Sequence, residues 1–188
     1  MAQRISLLLI KSGQTTEIGS LVSNVKWKGR KGSSSRTLTV TLLDDDGYKH
    51  ARSEIDVMEG HQCLFSYDGT ELFRGIIMQQ KQTHQKRLTF TAYDNGIYLA
   101  NNKDTFCYEN KTASYIFKDV CTRFGIPYTD VAACGYTIPN LTKSSTTAFD
   151  VICDALSLDY DNTGIRHYVA SEILRRGPTF TATPTPKA

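Results

Sequence analysis

The side chains in this chain with chemical potential are four histidines, five cysteines, a run of three aspartates and one basic glycine/serine loop. His50, His61, His84 and His167 are scattered over turns and strands. No two share a His-x-x-x-His spacing, which would put two imidazoles on one helix face for a metal. The cysteines stand at 63, 107, 121, 134 and 153, with no Cys-x-x-Cys pair and an odd total, so neither a zinc knuckle nor a disulfide framework is indicated. Cys121 and Cys153 fall on apolar faces of helical segments, where a thiol packs as a small hydrophobe. Cys107 and Cys134 fall in loop-like sequence, and as nucleophiles they would need a histidine base that nothing nearby supplies.

The remaining candidates read the same way. Asp44-Asp45-Asp46-Gly47 lacks the alternate acidic ligands and later glutamate of a calcium loop, so it reads as a solvated turn. In Gly29-Arg30-Lys31-Gly32-Ser33-Ser34-Ser35, Lys31 precedes the glycine and a strand follows, which excludes a Walker phosphate loop. No Gly-x-Ser-x-Gly elbow occurs. Arg30, Lys31 and Arg36 with Trp27 form a small basic and aromatic cluster suited to a polyanion, though an exposed loop is the commoner meaning. The net charge of +3, from 22 basic and 19 acidic residues scattered along the chain, is too mild to imply nucleic acid. The sequons at Asn110 and Asn140 matter only in a secreted chain. The apolar run Ile5–Ile10 is too short for a signal segment, and a cytoplasmically made protein is expected. No catalytic, cofactor-binding or metal-binding set emerges, and a non-enzyme is expected.

The elements that surround these residues are mostly strands. The strongest signal is the stretch from Gly60 to Asp94, where Asp68-Gly69 separates two extended apolar runs. Such a pair predicts a tight hairpin, because both central positions of the turn need positive φ. Arg87–Tyr93 adds a third run, with Leu88, Phe90 and Ala92 on one face. Ile5–Lys11, Leu21–Trp27 and Arg36–Leu43 read as earlier strands, the last with Leu38, Val40 and Leu42 opposite three threonines. Beyond Gly96 the texture changes. Thr105–Tyr108 reads as a short extended segment. Thr112–Phe124 has helical spacing, with Thr112 as N-cap, Gly125 as C-terminal cap and Pro127 as a stop. A second helix runs through Phe149, Ile152, Cys153 and Leu156, entered through the Ser/Thr run at 144–147, and Ile165–Ser171 returns to a strand. Pro178, Pro184 and Pro186 predict an irregular tail.

The expected fold is mainly β within the α+β class: a small antiparallel β-barrel over 1–102, then a helical connector with the first strand of a second, incomplete barrel over 103–172. A Pro/Thr-rich tail fills 173–188. The residues that carry a family resemblance run in order through this plan. Trp27 ends a strand and is followed by the Gly/Ser loop and Ser35-Arg36-Thr37-Leu38-Thr39-Val40. Gly60-His61-Gln62-Cys63-Leu64-Phe65, Asp68 to Ile77, Tyr93-Asp94 and Tyr98-Leu99-Ala100-Asn101-Asn102 come next, and a helix closes on Phe124-Gly125-Ile126. This ordered set resembles the baseplate hub proteins of contractile phage tails and tailocins, of the XkdQ type found in PBSX-like prophages.

The resemblance implies a structural protein without cofactor, small-molecule substrate or membrane insertion. It implies a homotrimer whose barrels form a ring that joins the tail tube, or its initiator proteins, to the central spike and other baseplate proteins. It places the chain in a virion or tailocin particle assembled in the host bacterial cytoplasm. Trp27, Arg30, Lys31, Phe73 and Ile77 are then the candidate interface residues, the last two as packing or interface positions. A stand-alone barrel that binds polysaccharide or nucleic acid through Trp27, Tyr67 and the basic loop is the alternative.

Overall fold

The computed structural model describes residues 5–30, 33–42, 57–82, 87–171 and the backbone of 178–183. They fall into two compact units, one drawn from 1–29 and 36–94 and the other from 30–35 and 95–188. None of the helices among the described residues is long and apolar enough to cross a membrane.

The first unit grows from strands that alternate between apolar and polar residues. β1 (Ile5–Lys11), β2 (Gln14–Glu17), β3 (Val22–Lys28), β4 (Thr37–Leu42), β5 (Gln62–Tyr67), β6 (Thr70–Gln82) and β7 (Leu88–Tyr93) form one sheet in the order β2-β1-β5-β6-β7-β4-β3. Every pairing in it is antiparallel, and the sheet curls as a half-barrel. The β5–β6 hairpin turns on Asp68 at φ 46° and Gly69 at φ 77°, both in the left-handed region as the Asp-Gly pair predicts. One face carries the core: Leu7 and Leu9, Leu38 and Val40, Cys63 and Phe65, Phe73 and Ile77, Phe90 and Ala92. On the opposite face of β4 and β7 the threonines pair across strands, with Thr41 and Thr89 hydroxyls 3.1 Å apart. Gly75 has an ordinary backbone but no room for a side chain, since a Cβ there would run into the Tyr93 carbonyl and the Phe73 ring. β2 is held by Glu17, whose carboxylate accepts from Ser6 Oγ at 2.7 Å, Leu7 N at 3.0 Å and Gly19 N at 2.9 Å.

The second unit comprises α1 (Ile97–Asn101), β8 (Lys103–Thr112), α2 (Ala113–Arg123), β9 (Thr129–Val131), β10 (Thr137–Thr147), α3 (Ala148–Thr163), β11 (Arg166–Ser171) and β12 (Pro178–Thr183). β8 and β10 make a long antiparallel ribbon, while β11, β12 and β9 form a small mixed sheet in that order. Both long helices begin as their sequences dictate. Thr112 Oγ1 accepts from Tyr115 N at 3.3 Å, and Thr147 Oγ1 accepts from Asp150 N at 3.0 Å while its own proton goes to the Asp150 carboxylate at 2.6 Å. α3 ends at Gly164, whose φ of 75° closes the helix in the left-handed cap. The core of this unit joins Phe106 and Tyr108 of β8 to Ile116, Phe117 and Val120 of α2, Ile138 and Leu141 of β10, and Val151, Ile152 and Ala155 of α3.

The sequence expectations need three corrections here. The 105–108 segment is only the middle of the ten-residue β8, and the Ser/Thr run at 144–147, read only as the entry to a helix, is also the end of β10. The tail expected to be irregular contains β12, antiparallel to β11 from Ser171↔Pro178 to Arg166↔Thr183. Proline there stands at the first strand position, and Thr179 to Thr183 between the prolines have the β-branched and aromatic residues that suit a ladder.

Candidate functional site

Two features of the chain bear on function: the edges of the seven-stranded sheet and a buried polar cluster in the second unit. β2 and β3 each have one neighbour among the described residues. A strand in that position presents unpaired backbone N–H and C=O groups. β2 is exposed along its whole length, and β3 sets Lys26, Trp27 and Lys28 in solvent. Trp27 is 40% exposed, yet Arg36 lies over its ring with Cζ 5.7 Å from the centroid, so one face of the indole is already taken. Arg30 is exposed. Lys31 lies outside the described residues, as do His50, His84 and the aspartate run at 44–46. Phe73 and Ile77 are 2% and 0% exposed in the core of the first unit. Of the two roles expected for them, packing is the one their burial fits, because the inward face of the half-barrel is filled by their neighbours.

The buried cluster was not visible in the sequence. Cys134 sits between β9 and β10, Asp159 in the last turns of α3 and His167 on β11. All three are buried, Asp159 completely. His167 Nδ1 lies 3.0 Å from Asp159 Oδ2 and 3.8 Å from Cys134 Sγ. Tyr136 N donates to Asp159 Oδ1 at 2.9 Å and fixes the carboxylate. Cys134 therefore has the histidine neighbour that its sequence surroundings did not promise, because β11 returns beside the loop that carries the thiol. Two signals were available. Asp159 continues the buried stripe of Val151, Ile152, Ala155 and Leu156, and His167 shares the inward face of β11 with Val169. A charged group at an apolar-stripe position is uncommon unless something pairs with it.

The arrangement is not that of a cysteine hydrolase. A catalytic triad places the nucleophile on one ring nitrogen and the orienting carboxylate on the other. Here the thiol and the carboxylate face the same nitrogen. Burial, and after it the charge of Asp159, pushes the Cys134 thiol up to about 12, so it stays protonated at neutral pH. Burial likewise raises Cys63 and Cys121 to about 12, in keeping with their packing as hydrophobes. Cys107 is exposed on β8, its sulfur 3.5 Å from the Thr142 hydroxyl.

A family model described as YQBQ-like matches residues 25–173. The chain belongs to the YQBQ-like family. Two relatives of this YQBQ-like chain come from Bacillus subtilis (strain 168). The uncharacterized protein YqbQ is 35% identical over 165 residues, which are 87% of this chain and 48% of YqbQ. The phage-like element PBSX protein XkdQ is 33% identical over 165 residues, 87% of this chain and 49% of XkdQ. The chain thus spans about half the length of both. Among solved structures, the 43 kDa tail protein of prophage MuSo2 from Shewanella oneidensis shares the fold with a TM-score of 0.72, at 14% identity over 94% of this chain and 52% of that one. The E. coli type VI secretion component described as similar to the T4 tail proteins gp27 and gp5 matches with a TM-score of 0.53, at 13% identity over 96% of this chain and 46% of that one. At such identities the likeness is one of fold.

Proposed function

We propose that this YQBQ-like chain is a structural component of a phage tail or phage-tail-like particle, placed in the baseplate hub and working by assembly rather than catalysis. The observation that carries the reading is the match of 94% of the chain to the fold of a prophage tail protein. The 33% identity to a protein of the PBSX phage-like element supports it. In this reading the chain forms a homotrimeric ring that joins the tail tube, or its initiator, to the spike and other baseplate proteins. The particle is a virion or tailocin put together in the bacterial cytoplasm. The open edges β2 and β3 suit such a role, since an edge strand is a ready template for pairing with another chain. Lysines on β3 limit that pairing to partners that complement them. A ring of this kind requires heterologous contacts that close by rotation.

Cryo-electron microscopy of the assembled particle tests the proposal. Density for this fold in a closed ring between tube and spike is the expected result, and its location in the sheath, fibres or capsid overturns the hub assignment. Light scattering provides the solution counterpart. Self-association is expected, and a chain that stays a soluble monomer at high concentration contradicts the ring.

A further inference from the structure

Cys134, Asp159 and His167 each offer one ligand atom, and these atoms lie within 4.8 Å of one another. Asp159 Oδ2 is buried and receives no well-aligned hydrogen bond among the described residues, although His167 Nδ1 stands 3.0 Å away and the Cys134 thiol interacts with the same carboxylate. The short separation therefore lacks hydrogen-bond alignment. A buried carboxylate oxygen left in this state is costly unless a positive charge sits against it. Thiol and carboxylate also approach the same ring nitrogen, so the three donor atoms surround a common point rather than forming a chain.

We propose that Cys134 Sγ, Asp159 Oδ2 and His167 Nδ1 form a site for one thiophilic divalent cation, with Zn²⁺ the best fit, that clasps the β9–β10 loop, α3 and β11 together. The donor set is sulfur, nitrogen and oxygen, which suits zinc and not magnesium or calcium, whose sites are built from oxygens. Ligand atoms in a tetrahedral zinc site stand about 3.4–3.6 Å apart, given the usual bond lengths. The observed 3.0 Å and 3.8 Å bracket that range and need shifts of a few tenths of an ångström, while the sulfur-to-carboxylate separation, within 4.8 Å, needs a closure of up to about 1.3 Å. Charge also balances: a thiolate, a carboxylate and a neutral imidazole around a dication sum to zero, as a buried site requires. The thiol proton leaves to solvent as the sulfur–metal bond forms. The Tyr136 N–H on Oδ1 holds the carboxylate from outside, as supporting hydrogen bonds do in metal sites. Three protein ligands leave one position of the tetrahedron for water.

The test uses the untagged full chain, stripped with a chelator and titrated with Co²⁺ and then Zn²⁺. One ion per chain in native mass spectrometry is expected, with a thiolate-to-cobalt absorption band that Zn²⁺ removes. Saturating Zn²⁺ is expected to raise Tm by about 5 °C or more. Cys134→Ser loses the band and the Tm gain, Asp159→Asn weakens binding at least about tenfold, and Cys107→Ser, outside the cluster, keeps all of it. Absence of the cobalt band in the wild-type chain overturns the proposal, as does undiminished binding by both cluster variants. Should those variants fail to fold, X-ray absorption at the zinc edge of the wild-type chain decides: one sulfur among light scatterers supports the site, and no sulfur or several sulfurs overturns it.

Discussion

Gly75→Ala is the smallest change expected to break the first unit. The glycine backbone there is ordinary, so the effect cannot come from a left-handed conformation; it comes from contact. The added methyl would meet the carbonyl of Tyr93, a main-chain atom on the neighbouring strand β7, and the ring of Phe73 two residues back. A side chain end can swing away, but a carbonyl fixed in a ladder cannot. Tyr93 is registered against Ile76 in β6 and against Thr37 in β4, so relief requires strand separation at the centre of the sheet. Forced overpacking of this kind costs about 1–3 kcal/mol, and the rigid partner puts Gly75→Ala near the upper end, about 3 kcal/mol. Gly69→Ala supplies the internal contrast. Its φ of 77° strains any other residue, but a Cβ there meets nothing within 4 Å. That change should cost only about 1–2 kcal/mol, the ordinary penalty of the left-handed region. Urea unfolding followed by Trp27 fluorescence reads the right unit, since Trp27 is the single tryptophan of the chain and lies on β3. Equal losses in the two variants, or a Gly75→Ala cost below about 0.5 kcal/mol, would refute the steric argument.

Ile77→Ala should destabilise the same unit by about 2–5 kcal/mol, and Trp27→Ala by no more than about 1 kcal/mol, since the first empties a buried site and the second removes an exposed cation–π contact. Equal effects in urea unfolding followed by circular dichroism, which does not depend on Trp27, would show that the core assignment of Ile77 is wrong. Thr147→Ala should lose about 1 kcal/mol through the α3 cap, with Thr147→Ser close to wild type; thermal melts by far-ultraviolet circular dichroism compare them. Lost hydration works to raise the Glu17 carboxyl, but the hydrogen bonds from Ser6, Leu7 and Gly19 outweigh it and hold the group below the usual carboxylate value. A depressed folded value means that its stabilisation is complete above the unfolded value and is lost as pH falls through the folded one. Glu17→Gln should therefore flatten the acid limb of a stability–pH profile below about 4.5; an unchanged limb refutes the linkage.

Local chemistry made much of this chain legible by itself. Asp68-Gly69 supplies two residues able to take positive φ between alternating runs, so the β5–β6 hairpin needed no tertiary information. The alternation in β4, the Thr112 cap and Gly125 at φ 63° just past α2 are likewise properties of a few adjacent residues. β10 was hidden because only Ile138 and Leu141 in its first half are buried, a spacing of three that lacks the alternation of a half-buried strand. β12 was hidden because prolines bracket it, and only pairing with β11 and β9 makes it a strand. The Cys134–Asp159–His167 cluster was least legible of all. Asp159 on an apolar stripe hints that something pairs with it but not what, and the dielectric, the distances and the shared ring nitrogen exist only once a loop, a helix end and a strand converge. Periodicity and turn chemistry act over neighbouring residues and can be read from the chain, whereas that convergence is set by how the core of the second unit packs.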